Sequence, residues 1–364
     1  MTTSSTAESP TAGSRRTSII ATVLALALAG LTGETAWSQS SSPATTAPPL
    51  HGAGSTFAAP LYKKWIEEYS VGRGAGPIDY DAVGSGEGVR RFIAGTVDFA
   101  GSDEIITQAE AAKLREPAVT VPITAGMIVL AYNIPGVTSE IKLPREVYPD
   151  IFAGRIKRWD DPRIRAANPG LALPSRDIVL VARQDSSGTT AAFVKHLAAA
   201  DPAWRAKGMG VGKQIDWPKG TMLAPGNEGV AGRIKISEGA IGYVEYRFAQ
   251  KLGLRMAALQ NKAGTLVTPT ARAGDLALAG RAAKVDTLDA SVVDPSDPGA
   301  YPITTYSWMF LRPHYDRAKG QALRDFAQWV LSPQAQTYGA QLGYLPLTDD
   351  ITAISKSALT GLSF

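Results

Sequence analysis

Small, hydroxyl-bearing turns recur along this chain at Gly52-Ala53-Gly54-Ser55-Thr56-Phe57, Gly84-Ser85-Gly86-Glu87-Gly88, Gly101-Ser102-Asp103 and Asp185-Ser186-Ser187-Gly188-Thr189-Thr190. Their chemistry is hydrogen-bond donation to an anion. An oxyanion held in a dry cleft must receive hydrogen bonds on all its oxygens, because an unpaired buried charge is costly. Thr56, Ser85, Ser187 and Thr189 can supply hydroxyls, and Phe57, Ser85, Gly188 and Thr189 can supply backbone N–H groups at helix starts. Arg183 adds a planar, permanently charged fork, and Asp185, two residues on, is placed to orient it. Asp103 is the odd member, since a carboxylate only accepts. It suits an anion that still carries a proton, as phosphate does near neutral pH, and it repels sulfate, which carries none.

Catalysis finds little support in the same residues. Val83 and Asp185 occupy the positions where a Gly-x-Ser-x-Gly nucleophile elbow around Ser85 or Ser187 would begin with glycine. His51, His196 and His314 show no metal-ligand spacing, and Gly212-Lys213 runs into Gln214 rather than completing a Walker loop. No catalytic residue, metal or cofactor is therefore expected. The alternatives are a secreted phosphatase, or a receptor of the same fold for sulfate, molybdate or a phosphonate. Trp65, Tyr69 and Phe92 read as core packing at helical spacing, and Asp98 as structural.

The elements that must position these turns repeat one phrase: an extended apolar segment, a small-residue turn, then a helical pattern. The first turn enters a stretch with Phe57, Leu61, Trp65, Ile66 and Tyr69 on one face and Pro60 in its first turn. Ile78 to Val83 is extended and leads through Ser85, an expected N-cap, to Val89, Phe92 and Ile93. Thr96 to Ala100 reads as a short buried strand that puts Asp103 just past its carboxyl end, and Thr107 with Glu110 forms a capping box. Ile178 to Arg183 precedes a helix carrying Phe193, Val194 and Leu197. Strands alternating with helices imply an α/β fold with mostly parallel sheets, whose ligands sit beyond the strands' carboxyl ends. Ala125 to Ala131 and Ile303 to Leu311 are the candidate strands crossing between lobes. They divide the chain into a discontinuous lobe one, 50–125 and 308–364, and a lobe two, 126–307.

These motifs, with Pro60-Leu61-Tyr62, Thr96-Val97-Asp98-Phe99-Ala100, Lys157-Arg158-Trp159-Asp160-Asp161, Asn168-Pro169-Gly170 and Gly239-Ala240-Ile241-Gly242-Tyr243-Val244-Glu245-Tyr246, resemble the high-affinity phosphate-binding family of ABC importers, the PstS family. The resemblance spans His51 to Pro346. It implies a type II periplasmic binding-protein fold of two lobes joined by a two-strand hinge. It also implies inorganic phosphate as ligand and inner-membrane ABC permease subunits as partners. On matching positions it implies phosphate contacts at Thr56, Phe57, Ser85, Asp103, Arg183, Ser187, Gly188 and Thr189, with Asp185 as partner to the arginine. Ser55, Gly86, Gln184 and Ser186 depart from the pattern without removing a donor.

Composition agrees with an exported receptor. At 364 residues the chain exceeds what a single core usually supports, and 37 Lys+Arg against 33 Asp+Glu leaves a mild +4 without the dense basic patch that nucleic acid would need. Arg15 and Arg16 precede an apolar run from Ile19 to Leu31, which small and polar residues follow: a secretory signal, residues 1–38, too short in its apolar run to span a bilayer. Ser14-Arg15-Arg16 raises a twin-arginine route, but Ser18 stands where that signal carries a large apolar residue, so the route stays open. Residues 39–49 read as a Ser/Thr/Pro/Ala linker. The absence of cysteine excludes disulfides, thiolate metal sites and a lipid-modified cysteine, so a monomer free in the periplasm is expected.

Overall fold

The computed structural model describes residues 47–71, 76–279 and 292–364. The expected signal segment and most of the 39–49 linker lie outside the described residues. Strand β1 (Leu50–Gly54) feeds helix α1 (Ala59–Ser70), which buries Leu61, Trp65 and Tyr69 as their spacing predicts; Tyr62 is buried as well, Ile66 is only half-buried, and the buried Phe57 lies ahead of the helix. Pro60 sits in its first turn, where a missing N–H costs no hydrogen bond. The Trp65 indole N–H donates to Ala335 O at 2.8 Å, so the largest side chain of that face is also hydrogen-bonded.

Strand β2 (Ile78–Asp81) leads to α2 (Ser85–Ile93), and here the structure corrects the expected cap. Gly84, at φ 91°, is the N-cap and Ser85 is the first helical residue. A left-handed φ is nearly free only for glycine, and it leaves the Ser85 hydroxyl available for work other than capping. Strand β3 (Phe99–Ser102) starts later than the Thr96–Ala100 expectation. The displaced residues form a turn tied down by Arg312, which donates to Val97 O at 2.6 Å and also to Phe92 O, in α2, at 3.2 Å. Asp98 is structural, as expected, and its carboxylate receives Lys319 at 2.8 Å. After the capped turn α3 (Gln108–Ala111), with its Thr107–Glu110 capping box, comes the long strand β4 (Val119–Asn133).

The second half follows with β5 (Lys142–Leu143), α4 (Val147–Phe152), α5 (Pro162–Ala167), β6 (Val179–Arg183), α6 (Gly188–Ala200), β7 (Met222–Ala224) and α7 (Gly226–Ile236). It continues through β8 (Ala240–Glu245), α8 (Tyr246–Lys251), β9 (Arg255–Met256), β10 (Ala258–Gln260), β11 (Leu266–Val267) and α9 (Ala271–Leu278) to β12 (Thr304–Leu311). Helices Arg317–Val330, Pro333–Gln341 and Asp349–Ala358 close the chain.

Strand order β2-β1-β3-β12-β4-β8-β6-β7 explains the two-lobed architecture. At one end β1 pairs in parallel with β2 and β3; at the other, β6 pairs in parallel with β7 and β8. Between them β12 runs antiparallel to both β3 and β4. Strand β4 serves both groups: Val119 to Met127 pair with β12, and Ile128 to Asn133 pair with β8. Its interior from Val121 to Tyr132 is buried, as a strand covered on both faces must be. Burying each large apolar side chain of this kind contributes about 1.5–3 kcal/mol, so Ile123, Ile128 and Leu130 anchor the crossing.

Candidate functional site

The turns singled out in the sequence meet where the helices of the two lobes begin. Asp103 follows β3 directly and is only 2 % exposed. Its Oδ1 accepts from Ser55 Oγ at 2.5 Å and from Ser307 Oγ at 2.9 Å. Its Oδ2 faces the Ser85 hydroxyl at 3.5 Å and the Thr189 hydroxyl at 3.4 Å. One oxygen is thus tied to the turn after β1 and to the crossing strand β12, and the other is turned toward the donors. Burial pushes the Asp103 carboxyl up to about 6, against the opposing pull of the Ser55 and Ser307 hydrogen bonds and the Arg183 charge.

Arg183 ends β6, and its side chain is 1 % exposed. Nε donates to Asp185 Oδ1 at 2.8 Å, a second guanidinium N–H pairs with Asp185 Oδ2, and a third reaches Thr189 Oγ1 at 3.3 Å. Asp185 therefore orients the arginine. Burial would raise the Asp185 carboxyl, but the Arg183 hydrogen bonds and charge outweigh it and hold the group below the ordinary range. Asp185 Oδ1 also accepts the Gly226 N–H at 2.9 Å, joining the start of α7 to the arginine turn.

Ser187 caps α6 through Oγ, which accepts the Thr190 N–H at 3.1 Å. Gly188 and Thr189 are the first residues of that helix, whose leading N–H groups have no intrahelical acceptor. Among the described residues, no protein acceptor serves the backbone N–H of Phe57, Ser85, Gly188 or Thr189. Close approach across the lobes depends on Gly188: a Cβ there would lie 2.6 Å from Ser85 Oγ and 2.8 Å from the Asp103 nitrogen. Elsewhere the lobes touch through Gly86 N–H donating to Ser186 O at 2.9 Å and through Lys213 paired with Glu110 at 2.8 Å.

Thr56, at the far side, accepts from Asn227, and it also lines a cleft of ≈ 670 Å³ whose walls include Lys63, Tyr80, Gly226 and Lys251. The structure therefore brings Thr56, Ser85, Asp103, Arg183, Asp185 and Thr189 into one hydrogen-bonded cluster, with Gly188 packed closely against Ser85 and Asp103. Phe57 and Ser187 flank it on the adjoining turns. Ser55, Ser307 and Asn227 belong to the same cluster and were not singled out. Asn227 had a signal, a Pro-Gly turn opening a helical pattern of Val230, Ala231 and Ile234, whereas Ser307 lies within an apolar strand and had none.

A cluster of converging donors and one charged fork at helix starts between two α/β lobes defines a solute-binding protein of the periplasmic-binding-protein superfamily. A family model described as a PBP superfamily domain matches residues 7–334. The Phosphate-binding protein PstS of Pasteurella multocida is 35% identical over 319 residues, covering 84% of this chain and 88% of that one. Its counterpart in Methanocaldococcus jannaschii is 32% identical over 339 residues, covering 85% of each. The chain belongs to the PstS family of phosphate-binding proteins. Among solved structures, a high-affinity periplasmic phosphate-binding protein bound with phosphate, PfluDING, matches with a TM-score of 0.69 at 20% identity, over 87% of this chain and 99% of that one. A phosphate-binding protein from Stenotrophomonas maltophilia matches with a TM-score of 0.67 at 19% identity, over 85% and 93%. At such identities these likenesses speak for the fold.

Proposed function

We propose that this chain captures inorganic phosphate between its lobes in the periplasm and hands it to an ABC-type import permease in the inner membrane. The single observation that carries the ligand assignment is Asp103. Its Oδ1 is already occupied by Ser55 and Ser307, and its Oδ2 is turned toward Ser85 and Thr189 among donors. Around a tetrahedral anion, Thr56, Ser85, Ser187 and Thr189 give hydroxyl protons. Phe57, Ser85, Gly188 and Thr189 give backbone protons, and Arg183 gives its charge. Asp103 alone takes a proton, so an anion with one O–H fits and sulfate meets a bare carboxylate.

Lobe one comprises 50–125 and 308–364, and lobe two 126–307, with β4 and the entry to β12 as the bending elements. Phosphate contacts from both lobes favour the closed arrangement by population shift. A cleaved signal at 1–38 would deliver the chain to the periplasm, and no helix of the described residues is long and apolar enough to cross a membrane. A hydrolytic reading has no support from the site. The Ser85 hydroxyl faces Asp103 and that of Ser187 caps α6, while the buried His196 is bonded to Tyr148 at 2.9 Å.

Isothermal titration of protein unfolded, dialysed free of bound anion and refolded tests the reading. Phosphate should bind at one site per chain, and a large excess of sulfate should not compete. No heat with phosphate, or equal competition by sulfate, overturns it.

A further inference from the structure

Asn227 is fully buried in the first turn of α7, at the junction of the lobes. Its amide orientation is set by a group that can only donate: the Glu245 backbone N–H gives its proton to Asn227 Oδ1 at 2.9 Å. The Nδ2 end must then be the donor, and it points at Thr56 Oγ1 at 3.1 Å and at Thr189 Oγ1 at 3.2 Å. These hydroxyls come from opposite lobes.

Each hydroxyl has two lone pairs and one proton. The Thr56 oxygen accepts from Asn227 Nδ2 and from the Asn227 backbone N–H at 3.2 Å, so both lone pairs are filled. The Thr189 oxygen accepts from Asn227 Nδ2 and from Arg183 at 3.3 Å, so its lone pairs are filled as well. Neither oxygen retains a lone pair for a ligand. Each keeps its proton to give, and that of Thr189 is aimed at the Asp103 side of the cluster.

We propose that Asn227 is a specificity-determining positioning residue, which makes the Thr56 and Thr189 hydroxyls obligatory donors and so restricts the pocket to an anion bearing a single O–H. The inference rests on the phosphate reading and deepens it. Asp103 can accept one ligand proton, and with the threonines closed as acceptors a doubly protonated phosphate leaves its second O–H facing donors. Singly protonated phosphate is the preferred species, and affinity falls as acidification converts it to the doubly protonated form.

The test is titration of inorganic phosphate at pH 8 and pH 6.5 into wild-type protein, Asn227→Ala and Asn227→Asp, with thermal melts of each. The alanine variant returns one lone pair to each threonine, so a second O–H can be accommodated. We expect it to lose about tenfold in affinity at pH 8 but distinctly less at pH 6.5. The aspartate variant keeps the acceptor for Glu245 N–H, but it draws both threonine protons onto its carboxylate. Its affinity should fall by at least about a hundredfold at both pH values, and the melts show how far the buried carboxylate also lowers stability. A merely structural role would lower affinity equally at both pH values in the alanine variant, and that result overturns the proposal. So does wild-type binding in the aspartate variant. If the wild-type protein itself fails to bind phosphate, the functional reading falls first.

Discussion

The Ser307 hydroxyl, on the strand shared between β3 and β4, donates to Asp103 Oδ1 at 2.9 Å. With Ser55 on the same oxygen, this bond fixes which face of the carboxylate meets the ligand. Ser307→Ala removes one of the influences that hold the Asp103 carboxyl down to about 6, so its pKa should climb further. Once protonated, Asp103 gains a proton to give and no longer repels sulfate. The variant should bind phosphate about tenfold more weakly, and the pH below which sulfate competes should move upward. Sulfate competition across pH 5–8 measures it; an unchanged profile would count against the role of Ser307.

Arg183 and Thr189 differ in what their loss leaves behind. Arg183→Ala strands Asp185 beside the anion as an unpaired, largely buried carboxylate. Losing one partner of such a pair costs about 3–5 kcal/mol, so phosphate affinity should drop by at least a hundredfold. Thr189→Ala removes a neutral donor worth about 1 kcal/mol, and should bind several-fold more weakly with its melting temperature intact. Titration and thermal melts of both variants separate these outcomes.

Glu245 carries a pH dependence of stability. Burial pushes its carboxyl up to about 8, only partly opposed by the Arg247 N–H that caps onto Oε1 at 2.9 Å. A folded pKa above the unfolded value means that the folded chain binds the proton more tightly. Stability should thus be greatest below the unfolded carboxylate range and fall as pH rises toward 8. Glu245→Gln keeps an acceptor for the cap without the charge. It should raise the melting temperature at pH 8.5 by about 2–5 °C and change it little at pH 4.5. Melts of ligand-free protein across that range decide the matter.

Gly188→Ala adds one methyl group at the meeting of the lobes. The helical backbone at that position tolerates alanine, so stability should hold or rise slightly. Yet the new Cβ would lie 2.6 Å from Ser85 Oγ, closer than real contacts allow. Closure should be held back and phosphate affinity reduced by about a hundredfold or more, with a larger radius of gyration in the presence of phosphate than wild type. Wild-type affinity would show that the lobes do not close on Gly188 this tightly.

The donor turns were legible because each combines glycine, hydroxyl and helix start within a few consecutive residues. The α/β alternation, the buried face of α1 and the Thr107–Glu110 capping box were legible for the same local reason. Ser307 was not, since its partnership with Asp103 joins positions more than 200 apart, and only the antiparallel pairing of β12 with β3 brings them together. Asn227 depends likewise on Glu245, Thr56 and Thr189, which no spacing connects. The expected cap at Ser85 failed because a hydroxyl beside a glycine serves either role, and only the backbone angle at Gly84 decides between them.

Strand β4, which pairs with β12 along its first part and with β8 along its last, carries a constraint on how such receptors can be rebuilt. A fragment that keeps one lobe must be cut between Met127 and Ile128, since a cut elsewhere in that strand strips one sheet of part of its neighbour and bares an apolar edge. Chimeras that exchange a lobe between relatives must therefore join at that point of β4, where a single peptide bond links the two sheets.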